Sequence, residues 1–274
     1  MLGTGVESKD YFLAGGTLTW PVIGLALFST NISTIHLVSF AQEGYVNGLA
    51  YGNFEWMAPF TLIITALFFA PFYIRSRVAT LPDFLEIRYN RACRDWLAIL
   101  SIVAAIFIHI GFSLYTGAVV MHGLFGISET YILVTILVIA GLTGLYTIIG
   151  GMKAVLWTSV LQTPVLLLGS FIILFVGLTK LGAGAGLLEG WAVMSEINGA
   201  NMHLFRPIDD PNFPWPAVIG GSIIIGSWYW CTDQYIVQRV LSGRDMTQAR
   251  RGAIFGGYLK ITPVFIFLVP GMIA

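Results

Sequence analysis

Polar and ionisable side chains stand inside long apolar stretches of this chain, where each is costly unless it faces a partner or a water-filled cavity. Six of them fall within residues 29–36, namely Ser29, Thr30, Asn31, Ser33, Thr34 and His36. Such a run is compatible with a helix packed in the middle of a bundle. It is also typical of a locally unwound helix whose carbonyl oxygens coordinate a small, hard cation, and we favour this second interpretation.

Two charged residues in other apolar stretches need partners. Glu55 follows Asn53 and lies about one turn inside its stretch. Its carboxylate either sits in the headgroup layer or accepts hydrogen bonds from hydroxyl groups of a ligand. Lys260 lies too deep in the last stretch to reach the interface easily, so it requires Glu55, Asp233 or a ligand oxygen beside it.

Aromatic residues accompany these charges. Residues 228–230 are Trp-Tyr-Trp and precede Asp233 and Gln234. Aromatic residues near the end of a membrane helix often form only an interfacial belt. Here they fall nearer mid-membrane, which favours a stacking platform for the apolar C–H faces of a sugar. We interpret His109, in another apolar stretch, as a buried hydrogen-bonding residue.

Together these groups supply the donors, acceptors and stacking surfaces that a polyhydroxylated solute requires. The sequence has no evident nucleophile–base pair, no H-E-x-x-H metal motif and no phosphate-binding glycine-rich loop. We therefore expect no enzymatic activity and no organic cofactor. The formal net charge is zero, which gives no indication of a nucleic-acid partner.

The elements that position these residues are membrane helices. The chain has 274 residues, of which 57% are hydrophobic and 10% charged, far below the roughly one quarter charged in soluble domains. Apolar runs long enough to cross a bilayer predict an all-α membrane protein with about seven spans. They are 20–42, 52–74, 96–124, 130–150, 155–179, 215–238 and 250–274. A long acidic loop at about 182–214 connects the fifth and sixth spans, and a short surface helix is predicted within it at about 187–197.

The basic residues predict the orientation, because Lys and Arg are retained on the cytoplasmic side. Those in alternate connections, which share one side, are Lys9, Arg75, Arg77, Arg88, Arg91, Arg94, Lys153, Arg239, Arg244, Arg250 and Arg251. Lys180 and Arg206 fall on the other side. We therefore place the segment before the first span in the cytoplasm and the protein in the plasma or inner membrane, with the lipid bilayer as a partner. The oligomeric state stays open.

Several short motifs resemble those of the sodium-solute symporter family. Residues 145–154, LYTIIGGMKA, are similar to its diagnostic pattern. Six further segments resemble its sodium/glucose cotransporter branch: DYFLAGG from Asp10, TNIS from Thr30, GNFEWM from Gly52, LPDFLEIRY from Leu81, WTSVLQT from Trp157 and YWCTDQYIVQR from Tyr229. GYLK from Gly257 agrees as well. The resemblance runs nearly the whole length of the chain in the right order.

The resemblance implies a fold and a set of site residues. The fold is the leucine-transporter type, in which two inverted five-helix units enclose sodium and solute near the bilayer midplane. The positions that contact sugar in the family correspond to Asn31, His36, Glu55, Tyr229, Trp230 and Lys260, with Tyr229 also an inner gate. Ser29 and Ile32 correspond to positions whose backbone carbonyls bind sodium, the expected coupling ion. Members that couple to a second ion carry Asp where this chain has Ser159, which favours a single sodium.

The resemblance also bounds the expected domain. The chain matches one five-helix unit at about 20–179 and the first two helices of the second unit at about 215–274, within one transmembrane domain spanning 1–274. Because the family has a further N-terminal helix and more C-terminal helices, we expect a fragment of a longer protein. The expected function is sodium-coupled symport of a sugar or polyol. Alternatives are uptake of another organic solute, such as sialic acid or inositol, and a transporter-like sensor.

Overall fold

The computed structural model describes residues 8–34, 36–76, 78 and 80–274, and only the backbone of residues 8–10. Within this part of the chain the structure is helical and has no β-strand. The α-helices are Ser8–Leu13, Trp20–Asn31, Ala41–Asn47, Asn53–Ile64, Ala70–Arg75, Leu81–Arg88, Arg91–Ala104, Phe112–Phe125, Ile132–Leu181, Leu187–Asn198, Trp215–Gly226, Gln234–Leu241, Met246–Leu259 and Val269–Ile273. The all-α prediction is confirmed.

Wider and tighter helical turns join many of these helices. The π-helical segments are His36–Phe40, Thr65–Phe69, Ala105–Gly111, Ser227–Thr232 and Val264–Leu268, and the 3₁₀ segments are Ala14–Gly16, Gly48–Gly52, Glu129–Tyr131 and Gly199–Met202. The surface helix predicted at about 187–197 is confirmed as Leu187–Asn198. One-turn π segments are frequent at functional sites in helices.

Four continuous helical stretches of the described chain are long and apolar enough to cross a membrane: His36–Arg75, Arg91–Phe125, Glu129–Leu181 and Met246–Ile273. Two of these contain a corner. Gly48, at φ 64°, separates the end of the first predicted span from the second. Gly151, at φ 56° and ψ −155°, separates the fourth from the fifth. With the two broken spans described next, each of the seven predicted spans has a helical counterpart.

The first span is broken in the middle. Its first helix, Trp20–Asn31, ends where Ile32 takes an extended conformation with φ −75° and ψ 119°. Helical structure resumes in the π segment His36–Phe40 and continues to Asn47. Ile35 lies outside the described residues, so the break is defined here by its two edges. The predicted interruption of this span is confirmed.

The sixth span is broken as well, which the sequence interpretation missed. The helix Trp215–Gly226 passes into a π segment, and Asp233 is extended with φ −76° and ψ 126°. The next helix, Gln234–Leu241, begins with the Asp233 carboxylate accepting the Tyr235 amide hydrogen at 2.7 Å. This is an N-cap, and the signal in the sequence was the order Thr-Asp-Gln at the end of an aromatic run.

Gly151 makes the corner between the fourth and fifth spans possible. Its left-handed φ is unfavourable for a residue with a side chain, and a Cβ there would lie 2.8 Å from the Tyr11 ring. The Tyr11 hydroxyl donates a hydrogen bond to the Ile148 carbonyl at 3.1 Å. The corner therefore packs directly against the segment that precedes the first span, which links the GGMK motif to the start of the bundle.

The core lies between the first, second, sixth and seventh spans. Its buried residues are Ile23, Leu27, Ala58, Leu62, Ala66, Ala70, Trp230, Ile236, Val240, Ala249 and Ala253. Glycines let the first and seventh spans approach closely, since a Cβ on Gly252 would lie 2.6 Å from the Ile23 side chain. In contrast, the most apolar windows of Arg91–Phe125 and Glu129–Leu181 have no buried residue, so these helices present their surfaces outward.

The connections gather at two opposite ends of the bundle. At one end, which we call the basic face, the Leu18 amide donates to Ser242, and the Leu81 amide donates to the Gln234 side chain at 2.7 Å. At the other end, which we call the loop face, the 182–214 loop meets the ends of the first, second and seventh spans. There Asn53 donates to the Leu204 carbonyl at 2.6 Å and Asn198 donates to that of Met272 at 3.1 Å.

Candidate functional site

A buried ion pair forms the centre of the candidate site. Lys260 is fully buried, at the turn that follows the helix Met246–Leu259. Its ammonium group contacts the Glu55 carboxylate and donates a hydrogen bond to the Asn31 side-chain oxygen. Glu55 is itself 6% exposed. The second and seventh spans are thus joined by charge, and the pair meets the first span just before its break.

His36 reaches the same pair from the far side of the break. Its Nε2 lies 3.5 Å from Glu55 Oε1, and its Nδ1 accepts a hydrogen bond from the Ser33 amide at 3.3 Å. The imidazole also stacks on Phe40, with 5.4 Å between ring centroids. One side chain therefore connects the broken backbone to the buried carboxylate.

The aromatic residues of the sixth span complete the cluster. Trp230 is buried, and its ring lies 5.5 Å from Lys260 Nζ. Tyr229 packs edge-on against Trp230, with centroids 5.0 Å apart, and its hydroxyl interacts with the Asn31 side chain. Trp228 is 54% exposed, and its ring packs edge-on against that of Tyr229, with centroids 6.0 Å apart. Of the three aromatic residues in the sequence run, Tyr229 lies beside Asn31 and Trp230 beside Lys260, and their stacking against a sugar stays a prediction.

All six residues that the sequence analysis proposed for solute are therefore neighbours: Asn31, His36, Glu55, Tyr229, Trp230 and Lys260. They come from four different spans. Lys260 was predicted to need Glu55, Asp233 or a ligand oxygen, and the structure shows Glu55 as its partner. The cluster offers a carboxylate, an ammonium, an amide, an imidazole and two aromatic faces around one point, the set that a hydroxylated ligand needs.

The backbone at the first break has the properties of a cation site. In an unbroken helix the His36 amide would bond to the Ile32 carbonyl, but here it bonds to the Ser33 carbonyl at 3.0 Å. Likewise, the Ser33 amide, whose helical acceptor would be the Ser29 carbonyl, donates to His36. Carbonyl oxygens suit a hard cation such as sodium. Within the described residues there is no group of three or more His, Cys, Asp or Glu side chains that would hold a different metal.

A cavity of about 370 Å³ opens beside this break. Both sodium candidates, Ser29 and Ile32, line it, as do Asn31, His36 and Tyr229 of the solute cluster. Ser159 and Gln162 of the fifth span form part of the opposite wall. The two proposed sodium residues and three of the six proposed solute residues therefore border one cavity, of the size found in small-molecule sites.

Two residues that support the site escaped the sequence analysis. In the second span, the hydroxyl of the buried Thr65 lies 3.0 Å from the Trp230 carbonyl, and the Tyr73 hydroxyl donates to the Cys231 carbonyl at 3.0 Å. Both carbonyls belong to the turn before the Asp233 break. The only sequence signal was the presence of hydroxyl side chains inside an apolar run, and their partners lie more than 150 residues away.

The interpretation of His109 was wrong. The side chain is half-buried, and its contact is a parallel stack on Tyr235, with ring centroids 5.1 Å apart and an interplanar angle of 11°. His109 also lines the 370 Å³ cavity. The π segment Ala105–Gly111 rotates this part of the third span, which the helical period in the sequence does not reveal.

Known proteins similar to this chain can now be compared with it. The rabbit (Oryctolagus cuniculus) sodium/glucose cotransporter 1 is 35% identical over 281 residues, which cover 96% of this chain and 42% of the rabbit protein. Sodium/glucose cotransporter 4 of Danio rerio is 37% identical over 276 residues, with the same two shares. The chain therefore spans less than half the length of these curated relatives.

A solved structure shares the fold. It is described as a substrate-bound, outward-open state of a Na⁺-coupled sialic acid symporter, and it superimposes with a TM-score of 0.84 at 23% identity. The match covers 97% of this chain and 54% of that one. The likeness confirms the leucine-transporter-type fold, in which broken helices carry the binding sites. The profile of the sodium:solute symporter family matches residues 11–274, and the chain belongs to that family.

Proposed function

We propose that the protein containing this chain carries out sodium-coupled symport of a sugar or polyol by alternating access. The observation that carries the proposal is the convergence of the Glu55–Lys260 pair, Asn31, His36 and the Tyr229–Trp230 platform on the broken first span. The six side chains bind solute, and no chemical change is made to it. The named relatives are sodium/glucose cotransporters, which agrees with a sugar.

Each group has a role that its chemistry suggests. Glu55 accepts hydrogen bonds from solute hydroxyls, whereas Lys260 and Asn31 donate to solute oxygens. Trp230 stacks against the apolar C–H face of the ring, and Tyr229 closes the site toward the basic face. Because Glu55 and Lys260 are already paired, a solute that exchanges bonds with both leaves neither charge buried alone.

Sodium binds in this proposal at the carbonyl oxygens of Ser29 and Ile32. The support is the rerouting of the His36 and Ser33 amides away from those carbonyls, together with the shared cavity. Ser159, with a hydroxyl and no carboxylate, agrees with a single coupled ion. Sodium and solute then stabilise the same arrangement of the first span, so each raises the affinity for the other by the same factor.

The direction of transport follows from charge. The basic face, which carries Arg75, Arg88, Arg94 and Arg244, is cytoplasmic in this proposal, and the 182–214 loop is outside. Arg77, part of the same pattern, lies outside the described residues. The protein lies in the plasma or inner membrane, where each sodium charge moving inward gains about 2.3 kcal/mol per 100 mV. Residues 20–179 form the first five-helix unit and 215–274 begin the second.

A second candidate solute is sialic acid. The fold neighbour is described as a sialic acid symporter, and the candidate site here contains a lysine that could pair with a carboxylate. The two candidates differ in charge, since a neutral sugar leaves the Glu55–Lys260 pair balanced. We favour the neutral solute, because Lys260, the cation within the six-residue cluster, already has a buried carboxylate partner.

Uptake by the full-length protein in proteoliposomes tests the proposal. We expect uptake of radiolabelled hexose or inositol to require an inward sodium gradient and to fall to background when choline replaces sodium. Competition with unlabelled sialic acid distinguishes the two solutes. Sodium-independent uptake of the same solutes would contradict the mechanism, and Glu55→Gln is the matched variant, which should remove uptake while leaving the hydroxyl and amide groups in place.

A further inference from the structure

The 370 Å³ cavity has a second polar end that the solute cluster does not use. Arg239 lines it together with Tyr235 and His109, none of which belongs to the six-residue solute cluster. Arg239 lies in the helix Gln234–Leu241, which leads from the sixth-span break to that face. It is 5% exposed. A guanidinium so deeply buried is rare unless its charge is compensated.

The protein satisfies Arg239 only in part. One guanidinium nitrogen donates to the Tyr235 carbonyl, and the charge lies 4.6 Å from the centroid of the Tyr235 ring. Among the described residues, its buried Nε has no hydrogen-bond partner and no carboxylate lies within ion-pair distance of the guanidinium. The nearby Asp233 carboxylate is already occupied as the cap of its helix.

The neighbours of Arg239 in this cavity are further polar groups that could bind hydroxyl and carbonyl oxygens of a solute. His109 lies flat on Tyr235, so that an imidazole edge, a phenol and a guanidinium border the same space. Across the cavity, the fifth span contributes Ser159 and Gln162. Arginine donates several fixed N–H groups, and its bonds to oxygen acceptors are among the stronger hydrogen bonds in proteins.

We propose that His109, Tyr235 and Arg239 form a second solute station, occupied after the solute passes Tyr229 and before it leaves at the basic face. The Arg239 N–H groups donate to the solute's oxygens and the aromatic stack borders its ring. This inference rests on the proposed function, because it concerns the same solute in the same cavity. Because the station binds solute only on the basic-face side of Tyr229, it affects the release of solute to that face and its rebinding from that face.

Transport measured separately from each side of the membrane tests this station. We would reconstitute the full-length protein in oriented proteoliposomes and determine the KM for radiolabelled hexose presented at each face. Replacing Arg239 with Gln removes the hydrogen bonds that a charged donor makes to the solute, so the KM at the basic face should rise about tenfold or more. The KM at the loop face should change less than about twofold.

Controls separate this outcome from loss of fold. Arg251→Gln removes an exposed arginine from the same face and should leave both KM values unchanged. Arg239→Lys keeps the charge but loses Nε, so it should give a smaller rise at the basic face if Arg239→Gln fails to fold. An unchanged basic-face KM in a folded variant, or equal rises at both faces, would overturn the station. Absence of sodium-driven uptake in the unmodified protein would instead refute the proposed function.

Discussion

The two broken spans of this chain differ in how their freed backbone is satisfied. At the first break, the Ser33 amide bonds to the His36 side chain, and the flanking side chains reach the buried Glu55–Lys260 pair and an open cavity. At the sixth break, the Trp230 and Cys231 carbonyls meet hydroxyls of the second span. The first break borders an open cavity, whereas the carbonyls of the sixth-span break are hydrogen-bonded within the protein.

The difference has a simple chemical basis. In an unbroken helix the Tyr235 amide would bond to the Cys231 carbonyl; here that amide goes to Asp233, and Tyr73 replaces it. The carbonyl therefore has a protein partner whether or not solute is bound. The break fixes the position of Tyr229 and Trp230, since they lie two residues and one residue before Cys231. The sixth-span break thus holds Trp230 beside Lys260 and Tyr229 beside Asn31.

The largest effect is expected at the charge centre beside the first break. Lys260→Met leaves the Glu55 carboxylate buried without its cation, which should destabilise the protein by roughly 3–5 kcal/mol and abolish uptake. Thermal unfolding of the purified full-length protein and sodium-driven uptake measure the two effects.

A double variant sharpens this result. Glu55→Gln combined with Lys260→Met removes both charges, so the melting temperature should recover most of the loss while uptake remains absent. If the double variant is as unstable as Lys260→Met alone, the ion pair is not the reason for the instability, and the first break does not depend on it.

A smaller effect is expected at the support of the sixth break. Tyr73→Phe removes the hydroxyl that donates to the Cys231 carbonyl and leaves a buried acceptor unsatisfied, at a cost of about 1–3 kcal/mol. The melting temperature should fall accordingly. Tyr45→Phe, at a tyrosine that is 66% exposed, is the matched control and should be neutral. Equal stability of the two variants would show that this carbonyl does not need the second span.

The helix cap at the sixth break contributes less. Asp233→Ala removes the acceptor for the Tyr235 amide, for which we expect a loss of roughly 1 kcal/mol in the free energy of unfolding. Asp233→Asn retains an acceptor at the same position and should cost little. Chemical or thermal unfolding of both variants measures these losses. Equal losses for Asp233→Ala and Asp233→Asn would show that the charge of Asp233, and not its capping hydrogen bond, stabilises the helix.

The smallest effect concerns a surface counterpart of that cap. Asp245 caps the helix Met246–Leu259 by accepting the Gln248 amide at 2.9 Å, and this backbone hydrogen bond lowers the pKa of the Asp245 carboxyl below its ordinary 3.8. Because the folded-state pKa is lowered, the stabilisation is present above pH 3.8 and is lost as the pH falls through the lowered value.

The measurement compares Asp245→Ala with the unmodified protein across pH. The difference in melting temperature should be constant near neutrality and shrink in acid. Asp245→Asn, which cannot titrate, should keep its stability relative to Asp245→Ala at every pH. If the difference in melting temperature between Asp245→Ala and the unmodified protein grew as the pH falls, the pKa of Asp245 would be raised in the folded state and not lowered.

Much of the candidate site was predictable from the chain alone. The run at 29–36 has too many polar residues for a lipid-facing helix, and it indeed contains the break. Lys260 was predicted to need a buried partner and pairs with Glu55. The sixth-span break was missed because a π segment and an extended aspartate have no strong period, and Trp-Tyr-Trp resembles an ordinary membrane helix. His109 was misjudged because its ring stacks on Tyr235.

The sequence by itself determined the membrane helices, the polarity of the first break and the alternation of basic connections. Each of these depends on the length of an apolar run or on the position of a polar or charged residue along the chain, and not on which residues meet in the fold. Only the tertiary structure decided which distant groups meet. Asn31, Glu55, Trp230 and Lys260 come together because the first, second, sixth and seventh spans share a core with glycines at the closest approach. Desolvation then makes each buried charge or carbonyl depend on a partner that is far away in the sequence.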